Sequence, residues 1–188
     1  MKNIFREIKI PFYSLLFVFI ISVYVGWSGG QRHPKEAILL FDKLYESFSS
    51  LKNINIIAMF FYIFVNNAVK SFIVAILGAL FGIIPVVFIA INGILIGLLS
   101  SVIVLRHSPS YLFAGTLPHG LLEIPAFLIA ASYGLQLGKR FYRKLKFGEP
   151  FKQHFFRVLG KIIKYVFPLL AVASFIETFI TMTLLRSL

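Results

Sequence analysis

Apolar residues fall in blocks long enough to cross a membrane, and the polar residues gather mostly between the blocks. A crossing helix needs about 20 mainly apolar residues. The first block runs from about Pro11 to Trp27, behind Lys2, Arg6 and Lys9, with Pro11 expected in the first turn, where its missing N–H is tolerated. This layout resembles a signal peptide, but Met1 heads the chain and no A-x-A-like site follows, so an uncleaved anchor is expected. Residues 57–105 are almost continuously apolar, enough for two crossings over about 60–82 and 86–105, with Gly82 and Pro85 marking the reversal. A fourth block, about 117–137, carries Pro118 and Pro125 and is expected to be kinked or partly re-entrant. The fifth, about 162–185, is expected to kink at Pro168. Between Pro34 and Asn53, the residues Ile38, Phe41, Leu44, Tyr45 and Phe48 recur at steps of three and four among charged neighbours, which predicts an amphipathic helix on the outer surface. The predicted fold class is all-α. It is a polytopic transmembrane helical bundle of about five spans, with kinked or re-entrant segments and an outer amphipathic helix, in one integral membrane domain.

Composition agrees with lipid as the solvent: 59% of the 188 residues are apolar and 14% are charged, against ~25% charged in a soluble domain. The net charge of +12 raises the question of nucleic acid, and the placement of the basic residues answers it. With the N-terminus inside and alternating crossings, twelve of the 19 basic residues fall on cytoplasmic parts, many of them in a basic loop expected over 139–160. They are read as topology determinants that also touch anionic lipid, and nucleic acid is not expected as a partner. The expected localisation is the cell membrane, with a cytoplasmic N-terminus and an extracytoplasmic C-terminus. Cysteine is absent, which removes thiol nucleophiles and thiolate metal sites.

Small residues recur every four positions: Gly78 and Gly82, Gly93 and Gly97, Gly134 and Gly138, with Ala126 and Ala130 extending the last stripe. Such stripes let backbones approach closely, within one chain or between copies in a homo-oligomer.

Ionisable and amide side chains inside apolar blocks are costly and invite a functional hypothesis. His119 and Glu123 share a helical face, and that face continues through Ala126, Ala130 and Gly134. Glu177 lies in the fifth block, flanked at helical spacing by Ala173 and Thr181. A cluster of His119, Glu123 and Glu177 would act as a hydrogen-bonded clamp between helices, handle protons or ions, or hold a divalent metal, the one cofactor this chemistry suggests. Asn66, Asn67 and Lys70 lie on the second span, and Lys70 is expected to snorkel outward rather than neutralise a buried carboxylate. Asn92 is expected to bond a neighbouring backbone or side chain. No P-loop, G-x-S-x-G elbow or H-E-x-x-H pair occurs, and no catalytic role is expected.

Taken together, F-V-N-N at 64–67, G-x-x-x-G at 78–82, N-G-x-x-x-G at 92–97, L-P-H-G-x-x-E-x-P at 117–125 and the late Glu177 resemble the stage II sporulation protein M family. The resemblance covers roughly residues 10–185. By motif match it carries over Asn66, Asn67, Asn92, Gly93, His119, Gly120, Glu123, Pro125 and Glu177. It implies a multi-span membrane protein without known catalytic activity, whose namesake helps localise cell-wall-degrading partners during engulfment. Many similar proteins occur in organisms that do not sporulate. The expectation is a non-enzymatic scaffold or partner-localising subunit in the lipid bilayer, with protein partners at the membrane. The alternative is a small transporter or channel for protons or a cation.

Overall fold

The computed structural model describes residues 2–49, 54–107 and 109–181, with side chains described for all of these except 2–6, 44, 45, 47–49, 109, 110, 114–119 and 181. The helices are α1 (Lys2–Arg32), α2 (Pro34–Ser49), α3 (Ile56–Leu77), α4 (Ile83–Arg106), α5 (Pro109–Phe147), α6 (Lys152–Lys161) and α7 (Phe167–Phe175). Two π-helical segments, Ile162–Val166 and Ile176–Thr181, make α6 and α7 parts of one continuous helical path. Five stretches are long and apolar enough to cross a membrane: Glu7–Arg32, Ile56–Leu77, Ile83–Arg106, Gly120–Phe147 and Lys152–Ile180.

The outer surface of the bundle is apolar, with Phe17, Ile20, Phe61, Val65, Val69, Val87, Ile91, Ile163 and Val172 all exposed. Water would penalise such a surface, whereas hydrocarbon accepts it. The interior is organised around α5, which packs against α1, α3, α4, α6 and α7. Its Ala126, Leu128, Ala130, Ala131, Tyr133 and Leu137 are fully or almost fully buried.

Glycine sets the close approaches. On one side Gly26 of α1 packs against the backbone of Ile94, and Gly97 of α4 packs against the backbone of Val23 and Trp27. On the other, Gly78 of α3 meets Gly134 of α5, and Gly138 sits over the backbone of Gly78, Phe81 and Gly82. The predicted stripes are therefore occupied by contacts within the chain. The reversal between α3 and α4 falls where Gly82 predicts it, and both Phe81 (φ 55°) and Gly82 (φ 75°) adopt the left-handed conformation.

Two expectations differ from the structure, one at Pro11 and one over the stretch 139–160. Pro11 is not in a first turn, because α1 begins at Lys2 and Pro11 lies inside it. Ile8, fully buried, gives the earlier residues a core to join. A proline deprives the carbonyl four residues earlier of its partner; here that carbonyl belongs to Glu7, and the Gln136 side-chain amide of α5 donates to it. The fourth span stays helical through Pro118 and Pro125, with α5 running from Pro109 to Phe147. The basic stretch 139–160 is mostly helix rather than loop. Its Lys, Arg, Leu and Phe residues contain no breaker before Gly148, which ends α5 at φ 70° with its N–H donated to the Lys144 carbonyl at 2.9 Å. Pro168 is accommodated by the π-helical turn before it, where the Phe167 N–H reaches back to the Ile162 carbonyl.

On α2, Ala37 is buried and Ile38 and Phe41 are half-buried, while Leu39 and Leu40 are exposed. The side chains of Leu44, Tyr45 and Phe48 lie outside the described residues. Asp42 anchors this helix to the end of α4, accepting hydrogen bonds from both terminal nitrogens of Arg106 at 2.6 and 2.8 Å.

Candidate functional site: a polar seam between three helices

The polar groups within the apolar blocks converge where α3, α5 and the C-terminal helical path meet. Lys70 on α3 lies within electrostatic range of Glu123 on α5 as an opposite charge, and Glu123 lies within range of Glu177 on the second π-helical segment as a like one. Each of the three comes from a different helix. Glu123 and Glu177 are half-buried and Lys70 is exposed. Lys70 lies past the middle of α3. Among the described residues the ion pairs within 4 Å involve none of these three groups.

Asn67, on the inner face of α3, is buried, and its side-chain oxygen accepts from the Asn66 amide at 3.4 Å. Ser71 follows one turn later and is fully buried. On the facing helix Ser174 and Thr178 are buried as well, on either side of Glu177 in sequence. The hydroxyls of Ser71, Ser174 and Thr178 have no hydrogen-bond partner among the described residues. The sequence reading missed these three residues. A four-residue spacing from Asn67 to Ser71 and from Ser174 to Thr178 was the available signal.

Asn92 stands apart from the seam but shares a cavity with it. Its amide donates to the Phe88 carbonyl at 2.8 Å, one turn back on α4. A cavity of about 270 Å³ between α1, α4 and α5 is lined by Asn92, Glu123 and Gly120 among apolar side chains such as Phe19, Ile89 and Phe127. Glu123 thus faces two surroundings, the charged seam and a mostly apolar cavity that it shares with Asn92.

His119 belongs to α5, and its side chain, with that of Pro118, lies outside the described residues. Among the described residues no three His, Cys, Asp or Glu side chains come together as metal ligands. Two carboxylates and an ammonium in this arrangement can tie helices by charge, pass a proton, or attract a small cation.

An apolar-skinned bundle with five helices able to cross a membrane, enclosing a seam of ionisable groups, is a multi-pass membrane protein. The family model described as Stage II sporulation protein M matches residues 15–182, and the chain belongs to that family. No curated protein and no solved structure matches the chain.

Proposed function

We propose that this protein is a non-enzymatic scaffold or partner-localising subunit of the cell membrane. The observation that carries this reading is the convergence of Lys70, Glu123 and Glu177 from three separate helices, an arrangement suited to holding the bundle in one geometry. Family membership supports it. Lys139, Arg140, Arg143 and Lys161 share the end of the bundle with Glu7 of α1, so the positive-inside bias favours a cytoplasmic N-terminus and, with five crossings, an extracytoplasmic C-terminus. In that orientation α2 lies on the outer side, tied to α4 through Asp42 and Arg106, and offers Leu39 and Leu40 to partners.

A second reading, a small transporter or channel for protons or a cation, is favoured by the cavity that reaches Glu123 and Asn92. Proteoliposomes separate the two. The scaffold reading expects neither proton nor divalent-cation flux from wild type or Glu123→Gln, together with a lower melting temperature for the variant. Flux in wild type that Glu123→Gln abolishes would replace it with the transport reading. Metal content of the purified protein, compared with that of His119→Ala, tests whether His119, Glu123 and Glu177 hold a divalent metal.

A further inference from the structure

The basic end of the bundle holds a second, larger cavity, far along α5 from Glu123. It encloses about 710 Å³ between the start of α1, the second half of α5 and α6. Lys139, Arg140 and Arg143 line it from α5, and Arg157, Lys161 and His154 line it from α6. Two carboxylates stand against these cations. Glu7 pairs with Lys161, and Glu149 is shared between Arg140 at 3.5 Å and Arg143 at 3.6 Å. Five cations against two carboxylates leave the cavity with a net positive charge, and no ion pair within 4 Å engages Lys139 or Arg157 among the described residues.

Lys139, Arg143 and Arg157 are exposed, so water screens part of their mutual repulsion, and an anion bound among them would relieve the rest. Topology requires only that basic residues lie on one side of the membrane. It does not require that they close around a shared cavity. Arginine dominates this set, and its forked guanidinium suits the oxygens of a phosphate group. Ile10, Pro11, Leu135, Leu137 and Val158 add apolar side chains to the wall, beside the polar Ser14 and Gln136. A charged rim over an apolar wall at the end of the membrane-crossing helices matches a phosphate that carries an apolar tail.

We propose that this cavity binds a phosphate-bearing anion, the phosphate being held by Arg140, Arg143 and Arg157 with Lys139 beside them. A lipid headgroup and a free phosphate share this chemistry. The site is independent of the scaffold reading, since it involves none of the seam residues.

Thermal unfolding of the full-length protein in a neutral detergent tests it, with short-chain phosphatidic acid, short-chain phosphatidylcholine and inorganic phosphate added at matched ionic strength. Phosphatidic acid is expected to raise the melting temperature by on the order of 5 °C at saturation, and phosphatidylcholine by far less. The double variant Arg140→Gln/Arg157→Gln should lose the shift. The control Lys35→Gln/Lys152→Gln removes the same charge outside the cavity lining and should keep it. An equal shift from inorganic phosphate assigns the site to free phosphate, and a shift from phosphatidic acid alone assigns it to lipid. No shift with any anion, or an equal loss in the control, overturns the proposal. Should the double variant fail to fold, photo-crosslinking of wild type with diazirine-tagged phosphatidic acid decides: label concentrated within 135–161 supports the site, and label spread evenly over the apolar exterior refutes it.

Discussion

Between α1 and α4, backbone meets backbone: Gly26 and Gly97 leave no room for a side chain, and Gly93 lies against Ser22 and the Phe19 carbonyl. Between α3, α5 and the C-terminal path the approach is equally close at Gly78 and Gly134, but further along the same helices it opens into the seam of Lys70, Glu123 and Glu177. The first contact is made of dispersion and shape, and it tolerates nothing larger than hydrogen. The second combines shape with charge, so it can respond to a change of protonation or ligand that the first would not register. Within one bundle, rigidity and responsiveness are assigned to different helix pairs.

The largest effect should come from the rigid contact. At Gly97 a Cβ would overlap the Val23 carbonyl oxygen, and both the atom it meets and its own helix are main chain. Gly97→Val is expected to cost about 3 kcal/mol or to prevent folding, read as loss of the monodisperse peak in size-exclusion chromatography. Gly29, whose Cβ would meet nothing within 4 Å, should accept Ala with little change in the same assay.

The seam should yield less. Glu177→Gln and Lys70→Met are each expected to lower stability by about 1 kcal/mol, the scale of polar contacts between membrane helices. In a double-mutant cycle with Glu123→Gln they should couple to it, whereas Gly29→Ala should not. Additive losses would mean that the three groups do not act as a unit.

Gln136 probes a joint between the two regions, because it connects α5 to α1. Gln136→Ala should cost about 1 kcal/mol by leaving the Glu7 carbonyl without its donor. Adding Pro11→Ala restores an N–H to that carbonyl within α1 and should recover part of the loss. The sharpest outcome against this account is a double variant weaker than the sum of its parts.

The smallest effect concerns α2. The Arg106 guanidinium hydrogen-bonded to Asp42 holds that exposed carboxyl below the usual carboxylate range. A group with a depressed folded pKa contributes stability above its unfolded pKa and loses it as pH falls through the folded one. Hydrogen exchange of α2 should therefore quicken only below about pH 4, and Asp42→Asn should quicken it at neutral pH without changing global melting.

The crossings were legible because lipid imposes long apolar runs, and the turn at Gly82 because a left-handed residue there favours glycine. The glycine stripes were legible as close contacts, but a stripe does not carry the address of its partner. Gly30 escaped notice because the first apolar run was taken to end at Trp27, while α1 continues to Arg32, and without Gly30 the lone Gly26 made no stripe. The π-helical segments left no trace in composition, since a one-residue widening of the turn depends on what packs against it. Lys70 was expected to reach for the membrane surface, and its side chain is exposed; its proximity to Glu123 depends on the placement of α5 beside α3, which sequence spacing does not carry. The basic cavity was hidden for a related reason: once 139–160 was taken as a loop, nothing required its charges to face one another.

The place of α5 along the chain has a consequence for biogenesis. It is the fourth stretch able to cross the membrane and the one around which the others gather. A nascent chain emerges from its N-terminus, so α1 and α4 can zip together while α3 still waits with its glycine face uncovered. Assembly is thus ordered by synthesis: a half-built bundle must persist in the membrane until its keystone arrives, and a pause in translation just before α5 would leave that glycine face open to the wrong neighbour.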